Sequence, residues 1–141
     1  MMVIAFSLDS ERYGIQSRKI RAVVPLTRLK AADSANSALA GTFNFRGAEI
    51  PVVNLCKMIL GRACAEYLST RVLIADHCGT LVGLIVEQAN ETAEVDYLPP
   101  SADSDKNFHM LKITASGDTH TVSKSIDLGG MLRQALKGAA C

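Results

Sequence analysis

Tryptophan is absent from this chain, and the aromatic residues that remain, phenylalanine and tyrosine, supply only 5% of it. That scarcity argues against the stacking platform on which single-stranded nucleic acid is held. An excess of one charge is also missing: 15 Lys and Arg stand against 14 Asp and Glu, for a formal net charge of +1. No basic run is longer than Arg18-Lys19. There is therefore no long-range field to gather nucleic acid or anionic lipid, and nucleic acid is not expected as a partner. No apolar run approaches the ~20 residues needed to cross a bilayer, so direct membrane insertion is not expected. The first eight residues, Met1 to Leu8, lack the basic lead and the longer apolar core of a signal peptide.

The four cysteines, Cys56, Cys64, Cys78 and Cys141, have neither C-x-x-C spacing nor the density of a disulfide scaffold. They read as reduced thiols in a bacterial-type cytosol, with Cys56 and Cys64 packed and Cys141 on a loose end. With His77, His109 and His120 they offer no two ligands at a recognisable local spacing, so no metal and no other cofactor is expected. Tyr13, His109 and His120 could serve as acid–base groups. Nothing beside them supplies a nucleophile with an orienting partner, and the chain does not read as an enzyme: no catalytic residues are assigned.

What the chain does have is an ordinary globular composition, 48% apolar and 21% charged over 141 residues. A chain of that size buries roughly 70% of its unfolded surface, enough for one compact unit or two small ones sharing a core. Ile4, Phe6 and Leu8 alternate, which predicts a strand, and Tyr13-Gly14-Ile15 continues as its partner after a turn at Asp9-Ser10. A single helical turn capped by Ser17 follows, and Ala22 to Pro25 extends again. Residues 30–39 read as a loop, 42–45 and 48–53 as a hairpin, and Asn54 to Leu60 as a short helix capped by Asn54 and stopped by Gly61. Further strands are expected at 71–75, 81–86, 92–95, 108–113 and 119–125, with a turn at 77–79 and a mobile polar stretch at 101–107. Asp127 caps a last helix whose apolar stripe runs from Leu128 to Leu136 before Gly138.

The two halves echo each other. Tyr13-Gly14-Ile15 aligns with Val82-Gly83-Leu84 at an offset of 69, and Asn54-Leu55-x-x-Met58-Ile59 with Asp127-Leu128-x-x-Met131-Leu132 at an offset of 73. Each half runs hairpin with an internal glycine, short turn, extended segment, second hairpin and capped helix. Repetition on this scale implies two similar β-units, each too small to stand without the other. Many short strands with helices only at the ends argue for small barrels over an open sheet.

The richest stretch is Gly41-Thr-Phe-Asn-Phe-Arg-Gly-Ala-Glu-Ile-Pro-Val-Val-Asn-Leu55, two apolar strands around a tight Arg46-Gly47 corner. It exposes one arginine with no nucleophile, paired carboxylates or metal ligands nearby, which suggests a surface gripped by another protein. On residue chemistry alone Arg46 could instead be a solvated turn residue, or could pair with Glu49. Alternation likewise leaves Ile20 and Val23 open between core and surface.

Phe6-x-Leu8, Tyr13-Gly14-Ile15, Gly41-x-x-Asn44-x-Arg46-Gly47-x-x-Ile50-Pro51-Val52-Val53-Asn54-Leu55 and Val82-Gly83-Leu84-Ile85-Val86 together resemble the CheW-like domain family over about residues 2–136. The resemblance implies an all-β fold of two tandem five-stranded SH3-like barrels packed on each other, with short capping helices and a C-terminal helix. As one domain over 1–141, its subdomains would fall at about 14–68 and 69–125, with the segments 1–13 and 126–141 packing across them. The implied function is that of a non-catalytic adaptor joining the cytoplasmic tip of a chemoreceptor to the regulatory domain of a CheA-type histidine kinase. It would lie in the cytoplasm, recruited to arrays at the inner membrane. Carried over residue by residue, the receptor-facing surface comprises Ile20, Val23, Gly41, Asn44, Arg46 and Gly47, with Gly83 matching the motif of the kinase-facing second barrel. In its sharpest form the contact is helix-in-groove, with a receptor tip lying between the barrels and Arg46 at the rim. Ala22 stands where the family usually carries an acidic residue, Phe43 and Phe45 replace smaller aliphatics, Asn54 replaces an aspartate, and the loop at 31–38 lacks the usual prolines. Those departures fit a flagellar adaptor less well than one for twitching or another receptor-coupled pathway. A small-ligand barrel with a pocket between its two units is the competing reading from a different class.

Overall fold

Two-residue corners between alternating strands organise the chain. The computed structural model describes residues 1–26, 29–30, 39–62, 70–77, 79–96, 108–117 and 119–135. The expected loop at 31–38, the polar stretch at 101–107, Gly138, and Cys64, Cys78 and Cys141 lie outside them. Strand β1 (Met2–Leu8) turns through Asp9-Ser10 into β2 (Glu11–Gln16). Both corner residues have positive φ, 52° and 70°, the backbone whose twist matches that of a two-residue hairpin. Ser17–Lys19 then forms one 3-10 turn, but without the serine cap: Gln16 holds the cap position and no side chain caps the turn. Ser17 is itself the first turn residue, and a capping side chain must come from the residue before.

Beyond that turn come β3 (Ile20–Pro25), β4 (Leu39–Phe45), β5 (Ala48–Asn54) and helix α1 (Leu55–Leu60). The second half supplies β6 (Arg71–His77), β7 (Thr80–Glu94), β8 (His109–Ser116), β9 (Thr119–Asp127) and α2 (Leu128–Ala135). The extended runs expected at 81–86 and 92–95 are thus one fifteen-residue strand. Asn54 Oδ1 accepts the Lys57 N–H at 3.1 Å, and Gly61 ends α1 at φ 79°. In the second half Asp127 Oδ1 takes the Gly130 N–H at 3.0 Å. Because α1 has only six residues, its cap is a large part of what holds it. Asn54→Ala is expected to cost about 1 kcal/mol, read as a lower urea midpoint with an unchanged m-value.

The strands pair in two groups of five that share β7. Residues 80–86 of β7 pair with β6, and 83–85 run parallel to β5, while β6 also pairs with β3 and β5 with β4. Residues 87–94 of β7 pair instead with β1, and the order continues through β2 and β8 to β9. The changeover is a bulge: Ser7 faces Glu87 but Ala5 faces Glu91, and Gln88 within it has φ 50°. The repeat read from the sequence is present in the order of elements, yet neither repeat is a barrel. One barrel takes β3, β4 and β5 from the first half and β6 with the start of β7 from the second. The other takes β1 and β2 from the first half and the rest of β7, β8 and β9 from the second. The partition at about 14–68 and 69–125 therefore differs from the observed strand grouping, since β6 pairs back to β3 and β1–β2 is an integral hairpin of the other barrel.

One buried cluster runs through both barrels, from Ile50, Val52, Leu73 and Leu84 to Phe6, Tyr13, Phe108 and Leu128. A smaller one, around Val3, Ala5, Val95 and Leu111, fills the barrel of β1 and β2. The internal glycines aligned by the repeat do equivalent work. A Cβ on Gly14 would lie 2.7 Å from Val3 Cγ2, and one on Gly83 2.9 Å from Val52 Cγ2.

Cys56 corrects one expectation. It is fully buried in the first turn of α1, but it is disulfide-bonded, its partner lying outside the described residues. Its sulfur, which carries no proton to donate, contacts Glu87 Oε1 at 3.7 Å. Disulfide pairing depends on spatial approach of two Cβ atoms, which sequence spacing does not report.

Candidate partner-binding surface

The β4–β5 hairpin is closed by Arg46 and Gly47, between the facing residues Phe45 and Ala48. Both have positive φ, 51° and 86°. Glycine adopts this conformation freely, whereas an arginine there is strained and is held by its surroundings. Asn44 supplies part of that hold, its Oδ1 accepting the Gly47 N–H at 3.1 Å.

Alternation sorts the hairpin into two faces. Phe43, Phe45 and Ile50 share one, Thr42, Asn44 and Glu49 the other. Ile50 is buried, while the two phenylalanines are half-buried and pack against the main core. Their ring centroids are 6.5 Å apart at 33°. Arg46 is exposed, and its Cζ lies 4.8 Å from the centre of the Phe45 ring. The alternative pairing with Glu49 does not occur. Glu49 accepts the Thr42 hydroxyl at 2.8 Å and lies 3.7 Å from Lys30 Nζ. Face geometry gives the reason: Arg46 folds onto the ring on one side of the hairpin, and Glu49 projects from the other. Arg46 makes no ion pair among the described residues.

The Thr42 hydroxyl first, then the Lys30 charge, hold the Glu49 carboxyl below its ordinary range. A depressed carboxylate adds stability above its unfolded pKa and loses it as pH falls through the folded one. Thr42→Val is therefore expected to move the Glu49 midpoint upward in an NMR pH titration; an unchanged midpoint would exclude the hydroxyl as the main cause.

The other carried-over positions divide by burial. Val23 is 40% exposed, on the outward side of β3 beside the Arg21–Asp76 ion pair (2.9 Å). Ile20 leans on the core, half-buried. Gly41 is buried where residues 29–30 cross β4 and close the barrel: Lys30 and Thr42 exchange two backbone hydrogen bonds of 2.9 and 2.8 Å. A Cβ on Gly41 would sit 2.5 Å from the Lys30 carbonyl oxygen. Gly83 is likewise buried, between Val52 and Val72, and it lies in the barrel of β3 to β6, not in the second one. The structure thus brings Asn44, Arg46 and Gly47 together at one exposed tip, leaves Val23 exposed on another strand, and makes Gly41 and Gly83 positions of close packing.

The CheW-like domain family matches residues 2–134, nearly the full length described above. The chain belongs to the CheW-like domain family. A crystal structure of the scaffolding protein TtCheW from Thermoanaerobacter tengcongensis is similar, with a TM-score of 0.66 at 23% identity over 86% of this chain and 81% of that one. At that identity the likeness is one of fold, and it agrees with the mainly β, SH3-like architecture. No curated protein matches the chain.

Within this CheW-like domain, residue-by-residue reading missed Phe45 as the seat of the Arg46 guanidinium. The available signal was adjacency, an aromatic next to the corner arginine. It also missed the Arg21–Asp76 pair bordering Val23, whose partners lie 55 positions apart and carry no local signature. An open concavity of about 540 Å³ lies against α2, lined by Asp127, Gly130, Met131, Arg133 and Gln134. One Asp127 oxygen there is occupied by the helix cap. Among the described residues no three His, Cys, Asp or Glu converge as metal ligands, and no helix is long and apolar enough to cross a membrane.

Proposed function

We propose that this protein is a non-catalytic scaffold that couples a methyl-accepting chemoreceptor to a CheA-type histidine kinase in a chemotaxis-like pathway. Membership of the CheW-like family supports the adaptor class, as does the scaffolding role in the printed name of the similar TtCheW structure. The observation that carries the reading is the Arg46 corner. A permanently charged guanidinium stands exposed on a strained turn, stacked on an aromatic ring and not neutralised by the nearest carboxylate, Glu49. Guanidinium donors of this kind suit a carboxylate on a partner helix, where a paired contact is worth more than in open solvent. Asn44, Gly47 and Val23 border the same contact. Ile20, Gly41 and Gly83 support it from within, and the kinase contact falls elsewhere on the barrels. Such an adaptor works in the cytoplasm at receptor arrays.

Co-sedimentation tests this. Membranes carrying a methyl-accepting receptor are expected to pellet the protein, and a CheA-type kinase is expected to join the pellet only in its presence. Equal kinase recruitment with and without the protein would exclude the coupling role.

A further inference from the structure

Arginine side chains are long and lose much rotamer freedom when they bind. At this corner the loss is largely taken in the free protein, through a chain of contacts. Phe43 and Phe45 lie on the half-buried face of β4 and pack on the core. Phe43 supports Phe45 at 6.5 Å, and the Phe45 ring sits under the Arg46 guanidinium at 4.8 Å, within the range where a ring face attracts a cation. Asn44 fixes the backbone beneath by holding the Gly47 N–H. The opposite face of the hairpin keeps Glu49 engaged with Thr42 and Lys30, so it does not compete for the guanidinium.

We infer that Phe45 is a positioning residue for Arg46: its ring pre-orients the guanidinium for the partner, and an aliphatic side chain of similar bulk does not replace it. The inference rests on the receptor-contact reading of Arg46 proposed above. Its content is the mode of action, since Phe45 contributes to recruitment through Arg46 and not by touching the partner.

The test is a double-substitution cycle on the full chain, using Phe45→Leu, Phe45→Tyr and Arg46→Ala. The readout is co-sedimentation with membranes carrying a methyl-accepting receptor. Phe45→Leu is expected to weaken recruitment about two- to five-fold, the scale of an exposed cation–π contact. Phe45→Tyr, which keeps the ring, is expected to recruit like the parent. In the Arg46→Ala background Phe45→Leu is expected to add no further loss. NMR supplies a partner-free readout, because the ring-current shift of the Arg46 side-chain protons should vanish in Phe45→Leu and persist in Phe45→Tyr. Melting temperatures within a few degrees of the parent exclude a folding defect.

Equal losses from Phe45→Leu with and without Arg46 would overturn the inference by making Phe45 a direct contact. So would unaltered recruitment by Phe45→Leu while Arg46→Ala fails to recruit, and in that case the receptor-contact reading would stand. If Arg46→Ala itself recruits normally, the receptor-contact reading fails and the inference fails with it.

Discussion

Reversing the charge of Arg46 to glutamate is expected to weaken recruitment to receptor membranes by at least tenfold, with the fold left intact. Two features produce the expected size. The guanidinium is exposed with no ion pair among the described residues, so replacement breaks no internal salt bridge. A glutamate there would in addition face the partner's carboxylate with like charge, which is worse than mere truncation. Arg46→Ala should therefore fall between parent and Arg46→Glu. Stability should change by less than ~1 kcal/mol, because the side chain's recorded contact is the Phe45 ring. Raising salt should reduce parental binding and narrow the gap between parent and Arg46→Ala, since an exposed pair is screened. Undiminished recruitment of Arg46→Glu would remove Arg46 from the interface, and loss of folding would make it a structural residue instead.

Gly41→Ala is expected to have the largest effect on stability. The added Cβ would lie 2.5 Å from the Lys30 carbonyl oxygen and 3.0 Å from Leu29 Cβ. A backbone oxygen cannot swing aside as a side-chain terminus can. Relief requires residues 29–30 to lift from β4, at the expense of the two hydrogen bonds between Lys30 and Thr42. Overpacking together with those bonds costs roughly 2–4 kcal/mol, which lowers the melting temperature of a chain this size by roughly 5–15 °C. Gly47→Ala is the control. Its φ is 86° but nothing lies within 4 Å of the added atom, so backbone strain of ~1 kcal/mol is the whole effect. A Gly41→Ala protein as stable as Gly47→Ala would refute this account of barrel closure. The pair also separates two reasons for sensitivity at the corner, since Gly41 acts through the fold while Gly47 lies at the exposed tip.

Local chemistry made much of this protein legible. The caps at Asn54 and Asp127, the stop at Gly61 and the Arg46-Gly47 corner each depend on one or two residues meeting a backbone requirement, and those requirements are readable in place. Burial was less legible. Gly41 and Gly83 fall within motifs that resemble a binding surface, yet each is glycine because a neighbouring strand leaves no room for a Cβ. Ile20 and Val23, three positions apart, separate into core and surface only once the pleat of β3 and its partner are known. The engagement of Glu49 with Thr42 and Lys30, rather than with Arg46, likewise followed from which face of the hairpin each side chain leaves.

The sequence by itself determined the β-character of the chain, the twofold repeat, the element order and the exposed corner, because strand alternation, turn geometry and capping act over a few residues. Only the tertiary structure decided how the repeats divide between barrels. Each half contributes a first hairpin to one barrel and its later strands to the other, exchanging at the 3-10 turn Ser17–Lys19 and at the bulge around Gln88. Every strand in either arrangement would show the same alternation. The choice lies in long-range pairing, β3 with β6 and β2 with β8, and in one apolar core continuous across both barrels. Pairings over such separations are selected by total burial, a property of the assembled chain that no single segment carries.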